Sequence, residues 1–429
     1  MNRIDNGSNP QPKPLFFVTM NLAIIGGGPA GLRAAEVAAS SGASVTIFDA
    51  KPSMGRKFLV AGCGGLNLTK AESRERIAIR YLGPEMPDDI WPSLLADFDS
   101  QDLRNWAAKM GIETFASSSG RVYTVGLKAA RLLRAWLKRL RELGIQFQPR
   151  HRLTGITLQD NPRHVQLAFA TEGDQTITVE ADAVILALGG GSWPRTGSDG
   201  SWIGILEKMG ISVTPLEAAN SGWELPWSEA VLAEAEGRPL KNIVARVGNQ
   251  QLEGEAIITR YGLEGSVIYA LGPALRAMQK ERGTAELHID FKPAFTVEQL
   301  VSKLGTLGNA PADLLDEARV RWRLSEGVHA ILASRGPFST AAALAQETKD
   351  CTLFLTGSRP LAEAISSAGG VCWNELTRSL MLRRLPGVFV AGEMIDWEAP
   401  TGGYLIQGCM ATGTRAGNCA VEWIRSAAK

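Results

Sequence analysis

The order of hydrophobic and polar positions near the start of the chain predicts a strand, a helix and a second strand. Residues 22–25 are uniformly apolar, as expected of a central strand in a parallel sheet. Alanines and a leucine recur at helical spacing over residues 29–41, and Gly42 follows where a helix commonly ends. Residues 44–49 form a second, β-branched apolar run that ends at Asp49. This alternation predicts the first unit of a Rossmann-type α/β fold.

Patterning along the rest of the chain predicts that this fold is interrupted. Residues 127–144 place leucines and Trp136 on one stripe of a helix, and its basic residues form a solvated face. Alternating apolar and polar positions then predict a β-meander that returns the chain to a buried strand at residues 184–188. We therefore predict an α/β fold with a disordered arm over 1–20, a Rossmann-type domain over 21–196 and 351–429, and, between its two parts, a β-rich insertion over 197–295 and a helical block over 296–350.

Composition and charge narrow the classes of function. The chain has 429 residues, 45% of them hydrophobic and 21% charged, which is typical of a soluble globular protein. Its formal net charge of +1 gives no general attraction to nucleic acid or to an anionic membrane, so we expect neither as a partner. The apolar part of residues 1–20 is too short for a signal peptide or a membrane span. Five cysteines without a CxxC pair, and four histidines without ligand spacing, favour a cytoplasmic protein without a metal site or disulfides.

Three glycines at the junction of the first strand and helix carry the clearest chemical signal. Gly26, Gly28 and Gly31 form a GxGxxG motif. The first permits a tight turn, the second lets the backbone approach a diphosphate, and the third lets helix and strand pack closely. The diphosphate would lie at the electropositive N-terminus of the helix, and Asp49 would accept hydrogen bonds from a ribose. An acid at this position favours FAD or NAD over a nucleotide with a 2′-phosphate.

Three further segments favour FAD. After the second strand the chain runs through a basic, glycine-rich stretch over residues 51–69, whereas a fold that binds only NAD usually continues directly to its next helix. The buried strand at 184–188 runs into three glycines. Near the C-terminus, Gly392-Glu393 precedes a TGGY sequence and a helix predicted from about Ile406. This combination is typical of large FAD-dependent oxidoreductases, in which the glycine–acid pair lies at the ribityl chain and the helix N-terminus stabilises negative charge on the reduced flavin.

These motifs together resemble those of a known family. It is similar to the BaiN-like flavoproteins, also called the YhiN type, which include aminoacetone oxidase-like enzymes. The similarity extends from residue 21 to the C-terminus and rests on the motifs IIGGGPAGLRAA, GRKFLVAGCGGLNLT, GEAIITRYGLEGSVIYAL, AGGVCWNEL and GVFVAGEMIDWEAPTGGYLIQG. The resemblance implies a Rossmann-type FAD-binding domain interrupted by a β-rich domain and a helical one.

The resemblance also implies which residues contact FAD. Leu153 would do so through its backbone, against the adenine. The cofactor-binding candidates are Gly26, Gly28, Pro29, Ala30, Gly31, Asp49, Ala50, Arg56, Lys57, Asn67, Leu68, Leu153, Ala187, Gly189, Gly190, Gly392, Glu393, Thr401, Gly403, Tyr404 and Leu405.

The chain departs from the family pattern at three places. Where the family usually reads GGGRCNVT this chain reads GCGGLNLT, so that Cys63 and Leu66 are unusual. The family's FTHRGLSGP is ITRYGLEGS here, and Arg260 stands in place of a histidine. Leu405 follows TGGY where asparagine is common. We interpret these departures as marks of a distinct subfamily.

The function that follows is an FAD-dependent oxidoreductase that acts on a small organic substrate, with NAD(P)H or dioxygen as redox partner. A second GxGxxG is absent from the sequence, so NAD(P)H would bind only transiently. The alternatives are a flavin-bound sensor or interaction protein without turnover, and an RNA-modifying flavoprotein. The near-neutral charge argues against the RNA-modifying alternative, because phosphate contacts require a basic surface.

The sequence does not indicate a catalytic acid or base, and we assign none. Thr259 and Tyr261 are the candidates for substrate contact, because they lie in a loop that matches a family motif. Cys63 is either a redox thiol near the flavin or an ordinary packing cysteine. His151 and His164 are interpreted as surface or packing residues. The oligomeric state is left open.

Overall fold

A parallel sheet and a larger antiparallel sheet organise the computed structural model, which describes residues 20–61, 65–159, 164–173, 175–305 and 314–427. The strands are β1 Asn21–Ile25, β2 Ser44–Asp49, β3 Asn67–Lys70, β4 Thr114–Ala116, β5 Arg121–Thr124, β6 Gln146–Pro149, β7 Arg152–Leu158, β8 Val165–Ala170, β9 Thr176–Ala181, β10 Ala183–Leu186, β11 Val213–Ala219, β12 Trp223–Glu224, β13 Pro239–Val247, β14 Gln250–Thr259, β15 Gly262–Glu264, β16 Ala285–Asp290, β17 Cys351–Leu355, β18 Gly357–Ser358, β19 Ser366–Val371 and β20 Val388–Val390. The helices are α1 Pro29–Ser40, α2 Arg56–Ala61, α3 Arg74–Ala78, α4 Ile90–Asp97, α5 Ser100–Lys109, α6 Ala129–Glu142, α7 Ile203–Glu207, α8 Glu229–Ala235, α9 Ser266–Ala270, α10 Gly272–Arg282, α11 Val297–Leu304, α12 Leu314–Arg321, α13 Glu326–Arg335, α14 Ala341–Lys349 and α15 Tyr404–Ala427.

The parallel sheet has the strand order β20-β10-β1-β2-β6. Strand β1 lies at its centre, where Ile24 pairs with Ile185 of β10 and with Ile47 of β2. The side chains of Leu22 to Ile25 are all buried, because both faces of this strand are covered. Strands from residues 21–25, 183–186 and 388–390 thus lie side by side although they are far apart in the sequence.

Helices α1 and α15 cover one face of the parallel sheet and pack closely on each other. Small residues make the close approach of the two helices possible. A Cβ atom added at Gly417 of α15 would lie 2.7 Å from the carbonyl oxygen of Ala34 in α1. The C-terminal helix is therefore built against the helix that follows the glycine motif.

An antiparallel meander, β7-β8-β9, covers the other face of the sheet. Phe169 of β8 stacks on Phe48 of β2, with 4.5 Å between ring centroids. Side chains of Leu167 and Trp202 belong to the same apolar core. This is the meander that the alternating pattern before residue 184 predicts.

The second part of the structure is a seven-stranded sheet, β17-β16-β13-β14-β15-β12-β18, with helices packed on it. Its apolar core extends from Trp223 to Leu355 and includes side chains from α8 to α14. The stretch expected to be β-rich also contains the short helices α8, α9 and α10. A two-stranded ribbon of β11 and β19 connects the two parts.

The predicted α/β fold class is confirmed, with a Rossmann-like parallel sheet and additional antiparallel sheets. The C-terminal helix begins at Tyr404, two residues before the predicted Ile406, because it starts directly after Gly403 in its positive-φ conformation. The predicted domain boundaries stay a prediction, and the predicted arm over 1–20 lies outside the described residues except for Met20. Within the described ranges, no helix has both the length and the apolar character needed to span a membrane.

Candidate functional site

A long cleft, called the main cleft below, runs across the carboxyl ends of the parallel strands. Ligands of open α/β sheets bind at this edge. The main cleft encloses about 970 Å³ of space that is continuous with solvent. Its lining includes thirteen of the predicted cofactor residues: Gly26, Gly28, Pro29, Ala30, Asp49, Ala50, Arg56, Lys57, Leu153, Ala187, Gly189, Gly392 and Glu393.

The three motif glycines have three different surroundings. Gly26 has φ of +109°, and a Cβ there would collide with the backbone of Ala187. A Cβ at Gly31 would collide with the carbonyl oxygen of Gly26, so this glycine permits close packing of helix on strand. A Cβ at Gly28 would meet no described atom within 4 Å, and Gly28 lines the main cleft at the N-terminus of α1. The space in front of Gly28 is therefore where a ligand could approach the backbone.

Asp49 holds the glycine loop in place. Its Oδ2 accepts the backbone N–H of Gly27 at 2.8 Å, and its Oδ1 accepts that of Lys51 at 2.7 Å. Burial raises the pKa of this carboxyl above its ordinary value, although the two N–H donors act in the opposite direction. Each carboxylate oxygen keeps a further lone pair, so Asp49 can still accept hydrogen bonds from a ribose.

Aromatic side chains form the end of the main cleft that the resemblance assigns to adenine. His151 lies edge-on to Phe48, with 5.7 Å between ring centroids. Trp202 lines the same end and donates its indole N–H to the carbonyl oxygen of Gly189 at 2.8 Å. Sequence reasoning did not identify Phe48 as part of the site, and it assigned His151 to the surface or to packing. It considered Trp202 either as a wall of a substrate pocket or as packing at a domain interface.

A polar group lies next to this end and was also missed. Arg152 forms an ion pair with Asp199 at 3.0 Å and donates to Ser201 Oγ at 3.3 Å. Ser198 is buried, lines the main cleft and has no hydrogen-bond partner for its hydroxyl within the described residues. The available signal was the SDGS sequence at 198–201, which begins seven residues after Gly191, the last of the glycines that follow β10.

An ion pair lies at the opposite end of the main cleft. Lys57 Nζ is 2.7 Å from Glu393 Oε2 and donates to Ser192 Oγ at 2.7 Å. Glu393 Oε1 accepts the backbone N–H of Ser367 at 2.9 Å. Cys409 of α15 also lines this end, and burial raises the pKa of its thiol to about 12, with the Glu393 carboxylate adding to the effect. The thiol is therefore protonated and a poor nucleophile at neutral pH.

Two buried polar atoms of predicted cofactor residues lack partners in the described part of the chain, one in Arg56, which lines the main cleft, and one in Asn67, which does not. They are Nε of Arg56, at the start of α2, and Oδ1 of Asn67, at the start of β3. A buried donor or acceptor without a partner costs stability unless a ligand or water satisfies it. With the unpartnered Ser198 and the open space at Gly28, these atoms fit an extended, polar and negatively charged cofactor such as FAD. Loop residues 62–64, including the candidate redox residue Cys63, lie outside the described residues.

Eight predicted cofactor residues do not line the main cleft. Leu68 is fully buried in the core, and Gly190 packs against Ser367. A Cβ at Gly403 would lie 2.6 Å from the backbone of Thr69. The eight residues are Gly31, Asn67, Leu68, Gly190, Thr401, Gly403, Tyr404 and Leu405.

Tyr404 makes contacts that hold the fold together and does not face the main cleft. Its hydroxyl donates to Glu72 Oε2 at 3.1 Å, and its carbonyl oxygen accepts the Tyr81 hydroxyl at 2.8 Å. Burial raises the pKa of the Tyr404 phenol to about 12. These contacts anchor the start of α15 to the segment after β3.

The two predicted substrate residues lie in the antiparallel sheet. Thr259 Oγ1 accepts the backbone N–H of Gly262 at 3.2 Å. The Tyr261 hydroxyl hydrogen-bonds to Glu264, and the guanidinium of Arg359 lies 4.4 Å from the Tyr261 ring centroid. Neither residue lines the main cleft, and their role in binding substrate stays a prediction.

Comparison with known sequences places this site in a family. The family description "HI0933-like protein Rossmann domain" matches residues 20–419. The 3-dehydro-bile acid delta(4,6)-reductase of Clostridium scindens is 28% identical, over 94% of this chain and 99% of that protein. The ribosomal RNA dihydrouridine synthase of Escherichia coli is 22% identical, over 90% of this chain and 94% of that protein.

Solved structures show the same fold. The 3-ketosteroid-delta4-(5alpha)-dehydrogenase of Rhodococcus jostii is 14% identical, with a TM-score of 0.51, covering 95% of this chain and 99% of that one. The 3-ketosteroid delta1-dehydrogenase of Sterolibacterium denitrificans is 12% identical, with a TM-score of 0.54, covering 94% of this chain and 99% of that one. At these identities the likeness concerns the fold alone.

Proposed function

The chain belongs to the HI0933-like Rossmann-domain family, and from this premise we propose that it is an FAD-dependent oxidoreductase acting on a small organic substrate. The observation that carries the proposal is the main cleft. It joins Gly26 and Gly28 of the glycine motif, Asp49, the Lys57–Glu393 pair and two unpartnered buried polar atoms, Nε of Arg56 and Oγ of Ser198, along one path. This set of groups suits a dinucleotide whose diphosphate lies at the N-terminus of α1.

The residues of the main cleft have distinct roles in this proposal. Gly28 leaves space for the diphosphate, and Asp49 accepts hydrogen bonds from the ribose. Arg56, Asn67 and Ser198 supply the unpartnered polar atoms that the cofactor would satisfy. Lys57 and Glu393 form the polar end at the ribityl chain. Bound FAD would supply two-electron hydride chemistry, with NAD(P)H or dioxygen as the redox partner.

The names of the relatives suggest a class of reaction. Reduction of a 3-dehydro-bile acid at its delta(4,6) bonds and formation of dihydrouridine both saturate a carbon–carbon double bond conjugated with a carbonyl group. We extend this class to the present chain, with a small conjugated ketone as the substrate. A hydride is added to one carbon of the double bond and a proton to the other, and NAD(P)H supplies the electrons.

Purification and redox titration test this proposal. We expect yellow protein with the absorbance bands of oxidised flavin, which bleach when NADH or NADPH is added under anaerobic conditions. Addition of 4-androstene-3,17-dione as a conjugated ketone should then restore the oxidised spectrum. Colourless protein that takes up no FAD would refute the proposal, and bound FAD that neither donor reduces would favour a sensor without turnover.

The second candidate is a ribosomal RNA-modifying flavoprotein, which the relative from Escherichia coli favours. The net charge of +1 weakens this candidate, because phosphate contacts need basic surface. Incubation of the reduced protein with ribosomal RNA transcribed in vitro, followed by mass spectrometry of its nucleosides, separates the two. Dihydrouridine in the product would establish the RNA activity. A cytoplasmic location remains a prediction from the sequence.

A further inference from the structure

A cleft lined by basic side chains, called the basic cleft below, lies in the antiparallel-sheet part. It encloses about 900 Å³ of space that is continuous with solvent, which is within the range of small-molecule sites. It shares no lining residue with the main cleft, and the comparisons assign it no role. Of its eleven described lining residues, four are cations and one is an acid. The cations are Arg238, Lys241, Lys292 and Arg323, and the acid is Glu326.

Three separate segments bring these cations together. Arg238 immediately precedes β13, and Lys241 lies within that strand. Lys292 follows β16, and Arg323 lies between α12 and α13. Four positive charges against one negative charge give the cleft a local charge of +3, whereas the whole chain has a formal net charge of +1. The net charge of the chain therefore conceals a local positive potential.

Three of the four cations have no counter-charge among the described residues. Arg238 Nε forms an ion pair with Glu326 Oε2 at 2.9 Å, which uses the acid that lines the cleft. Lys292 Nζ donates to the backbone carbonyl oxygen of Arg323 at 2.8 Å, and this acceptor is neutral. The side chains of Lys241 and Arg323 are exposed and make no ion pair or hydrogen bond within the described part of the chain.

Lys292 shows the effect of this imbalance. Burial lowers the pKa of its ammonium group below the ordinary value, and the positive charge of Arg323 acts in the same direction. Asp290 accepts the backbone N–H of Lys292 at 2.8 Å, but its carboxylate is paired with Lys349 Nζ at 2.5 Å. An anion bound beside Lys292 would favour the charged ammonium and would be held by it.

The start of helix α13 adds hydrogen-bond donors to the same space. Residues 325–328 line the basic cleft, and this ten-residue helix begins at Glu326. Ser325 Oγ accepts the backbone N–H of Val328 at 3.4 Å, whereas the N–H groups of Glu326 and Gly327 have no acceptor in the described ranges. N–H groups at the start of a helix carry partial positive charge and suit oxyanions. They support the site that the three cations define.

We propose that the basic cleft binds a small molecule with a phosphate or diphosphate group, held by Lys241, Lys292 and Arg323. A phosphate group presents oxygens in several directions and carries about two negative charges at neutral pH, so it can contact cations that arrive from three segments. A carboxylate carries one charge on two oxygens and would leave more of the local charge uncompensated. This inference goes beyond the proposed function, because the cleft shares no residue with the flavin site.

Isothermal titration calorimetry of the purified, FAD-loaded protein tests this inference. Potassium phosphate, potassium pyrophosphate and ATP are titrated without metal ions and compared with potassium acetate at equal ionic strength. We expect one saturable site for pyrophosphate and ATP, an affinity that falls as KCl is added, and no saturable binding of acetate. Equal affinities for pyrophosphate and ATP would identify the phosphate groups alone as the ligand, and tighter binding of ATP would add recognition of the nucleoside.

Two substitutions locate the bound anion. Lys241→Met and Arg323→Asn each remove one exposed cation, and each should weaken pyrophosphate binding by about tenfold. Arg323 has φ of +52°, a conformation that asparagine tolerates. Arg131→Met, which removes an exposed cation of α6 outside the cleft, is the matched control and should leave the affinity unchanged. Circular dichroism confirms that each variant is folded.

Three outcomes would overturn the inference. The first is no saturable binding of pyrophosphate or ATP up to about 1 mM. The second is an affinity that neither cleft variant changes. The third is binding of a single-stranded RNA oligonucleotide without binding of either small anion, which would make the cleft part of a nucleic-acid surface. If one variant does not fold, the other decides. The heat of anion binding is measured without electron transfer, so failure of the proposed function would be seen separately in the flavin spectrum.

Discussion

At the scale of single residues, the three GxGxxG glycines serve two purposes: two of them permit packing within the protein, and one leaves room for a ligand. Gly26 and Gly31 lie so close to backbone atoms of the protein that the fold has no room for a side chain at either position. Gly28 faces only the main cleft. Glycine is therefore required at the motif positions for two different physical reasons, and substitutions can distinguish them.

Gly28→Ala should leave the apoprotein as stable as before and weaken FAD binding by about tenfold or more, because the new methyl group occupies the space before the N-terminus of α1. Gly31→Ala should instead lower the free energy of unfolding by about 1–3 kcal/mol or more, since its methyl group collides with Gly26. Urea unfolding of the apoproteins and titration with FAD measure the two effects. A Gly28→Ala protein that binds FAD normally would contradict the position given to the diphosphate.

Asp49 should make FAD affinity depend on pH. Because burial raises its pKa in the folded protein, this carboxyl takes up a proton at a higher pH than an ordinary aspartate does. FAD affinity should therefore decrease as the pH falls through that raised value, whereas the contribution of Asp49 to the stability of the apoprotein increases over the same window. Asp49→Asn should bind FAD more weakly and remove the pH dependence in fluorescence titrations. Asp316→Asn, at an exposed site, is the control, and an unchanged pH profile in Asp49→Asn would refute the assignment.

At the scale of elements, the sequence correctly predicted the strands and the helix that show a clear repeat of hydrophobic positions. Strand β1, helix α1 and strand β2 occur within one residue of their predicted positions, because burial on a sheet and on one helix face leaves a clear repeat. The helices α7, α8 and α9 were not anticipated, since five to seven residues carry too few turns to show a period. The helix α10, with 11 residues, was missed as well, and length does not explain that miss. His151 and Cys409 reach the main cleft only through the pairing of distant strands and the packing of α15, which no local pattern reveals.

The contact between α1 and α15 gives a prediction at this scale. Gly417→Ala should lower the free energy of unfolding by about 1–3 kcal/mol, because the added methyl group would lie 2.7 Å from the Ala34 carbonyl oxygen. Helix propensity alone predicts the opposite sign, a gain of up to about 1 kcal/mol. Gly204→Ala in α7 is the control, since the added Cβ would meet no described atom within 4 Å beyond the nearby backbone of its own helix. Urea unfolding decides, and a stabilised Gly417→Ala protein would show that the two helices can separate at little cost.

At the scale of the whole molecule, a buried arginine joins the two parts. Arg276 of α10 forms ion pairs with Glu398 and Glu217 and donates to the carbonyl oxygen of Ala218 at 3.1 Å. Glu398 in turn exchanges backbone hydrogen bonds with Leu82. One side chain of the antiparallel-sheet part therefore holds the segment that precedes the Thr401–Gly403 loop.

Arg276→Met should destabilise the protein by about 3 kcal/mol, because it leaves the partly buried Glu398 carboxylate without its counter-charge, whereas Glu217 keeps its ion pair with Lys280. Hydrogen exchange should increase around residues 396–400. Arg378→Met is the control, because its ion pair with Asp89 is exposed and should have little measurable effect. Equal urea midpoints for the two variants would show that Arg276 does not hold the parts together.

The position of β20 and α15 has a consequence for biosynthesis. Strand β20 completes one edge of the parallel sheet, and Gly392, Glu393 and Cys409 complete the wall of the main cleft. A ribosome translates these residues after β10 and α1, so a nascent chain leaves the flanks of β10 and α1 uncovered until residues 388–427 emerge. The wall of the main cleft is therefore completed only when residues 388–409 have emerged, and we expect a chain cut before residue 388 to take up no flavin.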